Sequence, residues 1–109
     1  MEYRSIPHSQ LKVSSVAVGT WAIGGTNWGD VNDRDSEAAI ARALDEGVNL
    51  VDTAPVYGAG HAEEVVGRAI RGRRREEIVL STKCGLRIDE RNRRCLAPES
   101  IAFEIEASL

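Results

Sequence analysis

Short apolar runs alternate along this chain with stretches in which apolar residues share one helical face. Residues 16–21, 49–52 and 77–82 read as buried strands, since each is apolar nearly throughout and bounded by turn residues. Between them, Ala39, Ile40, Ala43 and Leu44 mark one side of a helix that follows the acidic pair Asp33 and Asp35, with Gly47 as its stop. A second helix is predicted over 61–70, with Val65, Val66, Ala69 and Ile70 inward and Gly72 after it. A third opens near Pro98 and places Ile101, Ile105 and Leu109 on one buried stripe. Two short extended pieces, 3–6 and 11–13, precede all of this and read as a hairpin whose turn lacks the usual Gly or Asn. The loop 24–33 holds three glycines and Trp28, and the stretch between Lys83 and Pro98 reads as a polar loop.

Strand and helix in strict alternation, with short connections, predict an α/β domain whose parallel strands are joined by right-handed crossovers. The stripe of the third helix runs up to Leu109, with no glycine, basic turn or cap behind it. Three parallel strands leave an edge unpaired, which a continuation, a partner or self-association would cover. The expectation is therefore that residues 1–109 are part of a larger domain, cut within the third helix.

Composition narrows the partners. A length of 109 residues suits one domain or part of one, and 42% hydrophobic content suits a globular chain. The net charge of −3 gives no reason to expect a polyanionic partner. Arg68, Arg71, Arg73, Arg74 and Arg75 form a basic cluster without interleaved aromatic residues, and it reads as charge at a helix end rather than a nucleic-acid surface. No run reaches membrane-spanning length, and residues 1–20 lack a signal-like pattern, so the expectation is a cytoplasmic protein that binds neither nucleic acid nor membrane. Cys84 and Cys95 lack the spacing of a zinc site, and no metal is expected; Cys84 reads as a small buried filler. His61 reads as a helix-start residue, and Gly24-Gly25 as a loop hinge.

The chemistry gathers at strand ends. Asp52 closes one apolar run, Lys83 closes the next, and Tyr57 stands five residues beyond Asp52. A free phenol, with a pKa of about 10, is a poor proton donor near neutrality. An ammonium nearby favours its phenolate, and a carboxylate paired to that ammonium keeps it charged and in place. Such a trio can protonate an oxygen that gains charge as a carbonyl is reduced.

Several motifs, in this order and spacing, resemble the aldo-keto reductases. They are Leu11-Lys12-Val13-Ser14, Gly19-Thr20-Trp21, Asp52-Thr53-Ala54-Pro55-Val56-Tyr57-Gly58, Gly60-His61-Ala62-Glu63-Glu64, Ser81-Thr82-Lys83-Cys84-Gly85 and Pro98-Glu99-Ser100-Ile101. The resemblance implies the N-terminal part of a (β/α)8 TIM barrel, with a hairpin plugging its bottom and three parallel strands and three helices present. It also implies that NADPH passes a hydride to a small aldehyde or ketone. Carried over residue by residue, Tyr57 is the general acid, Lys83 tunes it and Asp52 pairs with Lys83. Gly19, Thr20, Trp21 and Asp52 flank the nicotinamide and its ribose, and Trp28 lies in a loop bordering the substrate pocket. The family's fourth catalytic residue is a histidine at the end of a fourth strand, which neither His8 nor His61 matches. The alternative expectation is a catalytically silent fragment, or a βα module that needs a partner. Ala62 stands where a serine is common, which would remove an N-cap worth about 1 kcal/mol.

Overall fold

The computed structural model describes every residue of the chain except Ile88, Glu90 and Asn92. It opens with β1 (Tyr3–Ser5) and β2 (Lys12–Ser14), paired antiparallel with Tyr3 opposite Ser14. His8 turns the hairpin by adopting φ 60, and Ser9 steadies it by donating to the Ile6 carbonyl and accepting the Leu11 N–H. A side-chain hydroxyl and a histidine thus do what Gly or Asn usually does.

β3 (Ala17–Gly19), β4 (Leu50–Asp52) and β5 (Val79–Ser81) form a parallel sheet with β4 in the middle. Gly19 lies opposite Asp52, and Asp52 opposite Ser81, so the polar ends of all three strands share one rim. The strands are shorter than the apolar runs, but bonds continue past them: Thr53 N–H to the Ser81 carbonyl at 2.8 Å and Val79 N–H to the Asn49 carbonyl at 2.7 Å.

α1 (Asp33–Asp45) begins at Asn32, whose Oδ1 accepts the Arg34 and Asp35 N–H groups. It ends in a Schellman arrangement: Gly47 at φ 91 donates to the Leu44 carbonyl, and Val48 donates to that of Ala43. Its inward face is turned slightly from the expected one. Ser36 and Ile40 are buried and Ala39 is exposed.

α2 (His61–Ala69) buries Ala62, Val65 and Val66 against α1 and the sheet. Its N-cap is Gly60 at φ 96, without a side-chain cap. Ala62 lies inside the first turn and is fully buried, so the small residue serves packing and is not a missing cap. The core is Ile40, Val51, Val65, Val66 and Ile78, a seam between the two helices and the central strand. β4 is the only strand of the three whose middle residue is fully buried. β3 and β5 are edges among the described residues and keep partly exposed positions, contrary to strands covered on both faces.

The hairpin closes the end of the sheet opposite the polar rim. Asn49, just before β4, accepts the Ser14 N–H at 2.7 Å and donates to the Lys12 carbonyl at 2.9 Å, while the Tyr3 hydroxyl donates to the Gly47 carbonyl.

Two expectations are corrected beyond β5. The polar loop contains a second small hairpin, β6 (Leu86–Arg87) with β7 (Arg93–Arg94). In α3 (Pro98–Ser108) the buried residues are Ser100 and Glu104; Ile101 is half-buried, Ile105 is 53% exposed and Leu109 is fully exposed. On its inward side Glu104 accepts the Gly85 N–H and Ser100 accepts from Arg87 Nη1, so the polar side of the helix is the one engaged.

Candidate active site

Asp52 closes the central strand, where its side chain is half-buried at the rim. Lys83 lies two residues past β5, and its chain carries the ammonium back across the rim. Lys83 Nζ donates to Asp52 Oδ2 at 2.8 Å and to the Thr53 carbonyl at 2.9 Å. It also stands 4.9 Å from the centre of the Tyr57 ring. Burial favours the neutral amine, but hydrogen bonds to Asp52 and Tyr57, and their charges, outweigh it and hold the Lys83 pKa above its ordinary 10.5.

Tyr57 is held by a tight loop. Its N–H donates to the Ala54 carbonyl at 3.0 Å, and its own carbonyl accepts the Ala62 N–H at 3.1 Å, which ties it to the first turn of α2. Gly58, Ala59 and Gly60 all take positive φ, so the chain reverses within three residues. Ala54 and Pro55 are buried beneath. Across the rim, the Trp21 ring stacks on Tyr57 with centroids 6.3 Å apart, and Trp28 meets Trp21 edge-on at 5.7 Å. Trp21 is 61% exposed, which presents a broad aromatic face to solvent.

The structure therefore brings Asp52, Tyr57, Lys83, Trp21 and Trp28 together. Gly19 ends β3 beside Asp52, with open space around it. Thr20 sits apart from them, fully buried, its hydroxyl and N–H both donating to the Asp52 carbonyl. Cys84 is exposed, not a buried filler, because the chain leaves the sheet at Lys83. A cavity of about 100 Å³ beside Lys83 is lined by Ala54, Pro55 and Leu86. A larger one, about 390 Å³, lies under the hairpin near Tyr3, Gly47 and Ile78, at the end away from this chemistry.

Sequence reasoning missed the contacts that steady these groups. His61 Nε2 lies 2.8 Å from Asp33 Oδ1, linking the start of α2 to the start of α1. Thr82 donates to Glu63 Oε1 at 2.6 Å. The Thr53 carbonyl that receives Lys83 is a backbone atom, so no residue type signals it.

A model of the aldo/keto reductase family matches residues 15–109. The chain belongs to the aldo/keto reductase family. Among its relatives, Aldo-keto reductase YhdN of Bacillus subtilis is 47% identical over 87 residues, which are 79% of this chain and 26% of that protein. The NADH-specific methylglyoxal reductase of Escherichia coli is 38% identical over 114 residues, covering 93% of this chain and 35% of the relative. The solved structure of the glycerol dehydrogenase AKR11B4 from Gluconobacter oxydans superposes with a TM-score of 0.80 at 46% identity, over 98% of this chain and 34% of that one. The chain thus spans about a quarter to a third of the length of these relatives. Its three parallel strands, three long helices and N-terminal hairpin are the N-terminal part of the (β/α)8 barrel of the aldo/keto reductases.

Proposed function

We propose that Asp52, Tyr57 and Lys83 are the acid–base part of a site that reduces a small aldehyde or ketone with NADPH. The observation that carries this reading is the placement of one ammonium, 2.8 Å from the Asp52 carboxylate and over the Tyr57 ring. A barrel's active site lies at the carboxyl ends of its strands, which is where this rim is.

The rim suits the nicotinamide–ribose end of such a cofactor. Asp52 Oδ2 is taken by Lys83, while Oδ1 has no hydrogen-bond partner among the described residues and can accept from a ribose hydroxyl. Gly19 leaves open space beside it, and the exposed Trp21 offers a flat face to a planar ring. When bound, the cofactor supplies the hydride. The E. coli relative is named as NADH-specific, and the NADPH named here follows the family resemblance.

Tyr57 delivers its proton to the carbonyl oxygen as negative charge grows there. Lys83 stays charged through its bonds to Asp52 and Tyr57 and offsets the charge left on the phenol oxygen. Asp52 and the Thr53 carbonyl keep the ammonium from swinging into solvent. The Trp21–Trp28 pair beside the phenol favours a substrate with an apolar or planar group next to its carbonyl.

A second reading is that the 109-residue chain by itself is silent. It is favoured by the share of its relatives that the chain spans and by the placement of its histidines, His61 engaged by Asp33 and His8 in the hairpin turn. One experiment addresses both readings. NADPH absorbance with a reactive aldehyde is followed for the chain, and for a chimera in which residues 1–109 replace the matching segment of the B. subtilis relative. The expected result is turnover by the chimera that falls about 10²- to 10⁴-fold in Tyr57→Phe. Undiminished turnover in that variant would remove Tyr57 as proton donor. Turnover by the chain alone would end the silent reading.

A further inference from the structure

Helix α3 buries an acid on its inward side. Glu104 is 4% exposed while Phe103 and Ile105, beside it in sequence, face outward. Its Oε2 accepts the Gly85 N–H at 2.6 Å. Its Oε1 is equally buried and has no hydrogen-bond partner among the described residues. A buried carboxylate with one bare oxygen costs free energy that an apolar side chain would not, so stability alone is a poor account of it.

What the bond grips is the segment leaving β5. Gly85, two residues past Lys83, adopts φ 102, and its carbonyl accepts the Cys95 N–H at 3.1 Å. Both of its backbone polar groups are therefore engaged. A Cβ there would lie 2.8 Å from Cδ2 of the exposed Leu96, so a side chain at this position would have to push Leu96 aside. On the other side of Lys83, Thr82 is tied to Glu63. Lys83 is thus the residue between two anchors, one from α2 and one from α3.

We propose that Glu104 is a positioning residue: by holding the Gly85 N–H it sets the path of residues 83–85 and so places the Lys83 ammonium on Asp52 and against Tyr57. This rests on the reading of the rim as an acid–base site and deepens it, since it assigns a helix outside the rim to the placement of the cation.

Lys83 itself reports the outcome. Its pKa is held above 10.5 by bonds to Asp52 and Tyr57 working against burial, and a displaced ammonium loses those bonds. Lys12 is the only other lysine, so ¹³Cε NMR of the lysine-labelled 109-residue chain yields two signals, with Lys12 as the internal control. Glu104→Leu is expected to lower the Lys83 midpoint by about 0.5. Glu104→Gln removes the same charge but keeps a carbonyl for the Gly85 N–H, and is expected to stay at the wild-type midpoint. Asp52→Asn, which weakens the pair directly, is expected to lower it. A folded Glu104→Leu that titrates like wild type, while Asp52→Asn is lowered, would overturn the positioning role alone. An unmoved midpoint in Asp52→Asn would overturn the reading of the rim, and this proposal with it. Should circular dichroism show Glu104→Leu unfolded, Glu104→Asp takes its place under the same criterion, its acceptor drawn back by a carbon–carbon bond of about 1.5 Å.

Discussion

Gly24 and Gly58 meet backbone to backbone beside Tyr57. A Cβ on Gly58 would lie 2.2 Å from the Gly24 carbonyl oxygen, and one on Gly24 would lie 2.5 Å from the Tyr57 carbonyl carbon. The turn after β3 and the Tyr57 loop are therefore pressed together at a contact only glycine permits. Gly24-Gly25 is less a free hinge than a surface on which the phenol's loop rests. Gly58→Ala meets both this clash and its φ of 66, and is expected to destabilise the chain by about 3 kcal/mol. Gly67 is the contrasting case, an exposed position inside α2 with nothing within 4 Å. Gly67→Ala is expected to stabilise by about 1 kcal/mol. Urea unfolding of both variants checks the pair, and equal effects would contradict the contact.

Asn32 caps α1 through bonds to two N–H groups, at 2.9 and 3.3 Å. Asn32→Ala is expected to lower stability by about 1 kcal/mol, and Asn32→Asp to restore most of it. The urea midpoints of the three proteins decide this.

Lys83 carries a pH signature of definite sign. Its folded pKa is raised above 10.5, so the folded state keeps its proton to higher pH than the unfolded chain. The contribution is then complete below about 10.5 and fades as pH rises through the folded value. The stability of wild type relative to Lys83→Met is expected to be flat from about pH 7 to about pH 9 and to fall above about 10.5. A difference that grows in that alkaline range would show the sign to be wrong.

Arg68 joins the two helices behind the Tyr57 loop. Its Nε donates to Glu37 at 2.5 Å and its second amine to Asp33 at 2.6 Å, the same aspartate that His61 reaches. The bond to Glu37 is the chief cause of its raised pKa, which burial opposes. Arg68→Met is expected to lower the urea midpoint, and Arg68→Lys to recover only part, because an ammonium lacks the planar fork that spans two carboxylates. The loss should shrink in about 1 M salt, since the cluster is partly open to solvent. An undiminished loss in salt would point to packing of the stem instead.

The site was more legible than the helix that ends the chain. Asp52 and Lys83 could be read because polar groups closing apolar strands are conspicuous, and Tyr57 because its spacing from Asp52 belongs to a longer run of motifs. The β6–β7 pair was not legible, since two residues on each side leave no alternation to see. α3 misled more instructively. Ile101, Ile105 and Leu109 have the spacing of a buried stripe, yet Ser100 and Glu104 are the residues inside. Periodicity assumes an apolar surface to pack against, whereas the surface in reach offered the Gly85 N–H.

Sequence by itself determined the order of strands and helices, the family resemblance, and that Asp52 and Lys83 follow apolar strands with Tyr57 five residues beyond Asp52. Those follow from local properties: apolar spacing, turn residues and residue type at a fixed offset. Only the tertiary structure decided that the Thr53 carbonyl also holds the Lys83 ammonium, that the Gly24 and Gly58 backbones touch, and that an acid from α3 is buried on Gly85. Each of these joins atoms distant in the chain, through backbone groups every residue carries alike, so no pattern of side chains could announce them.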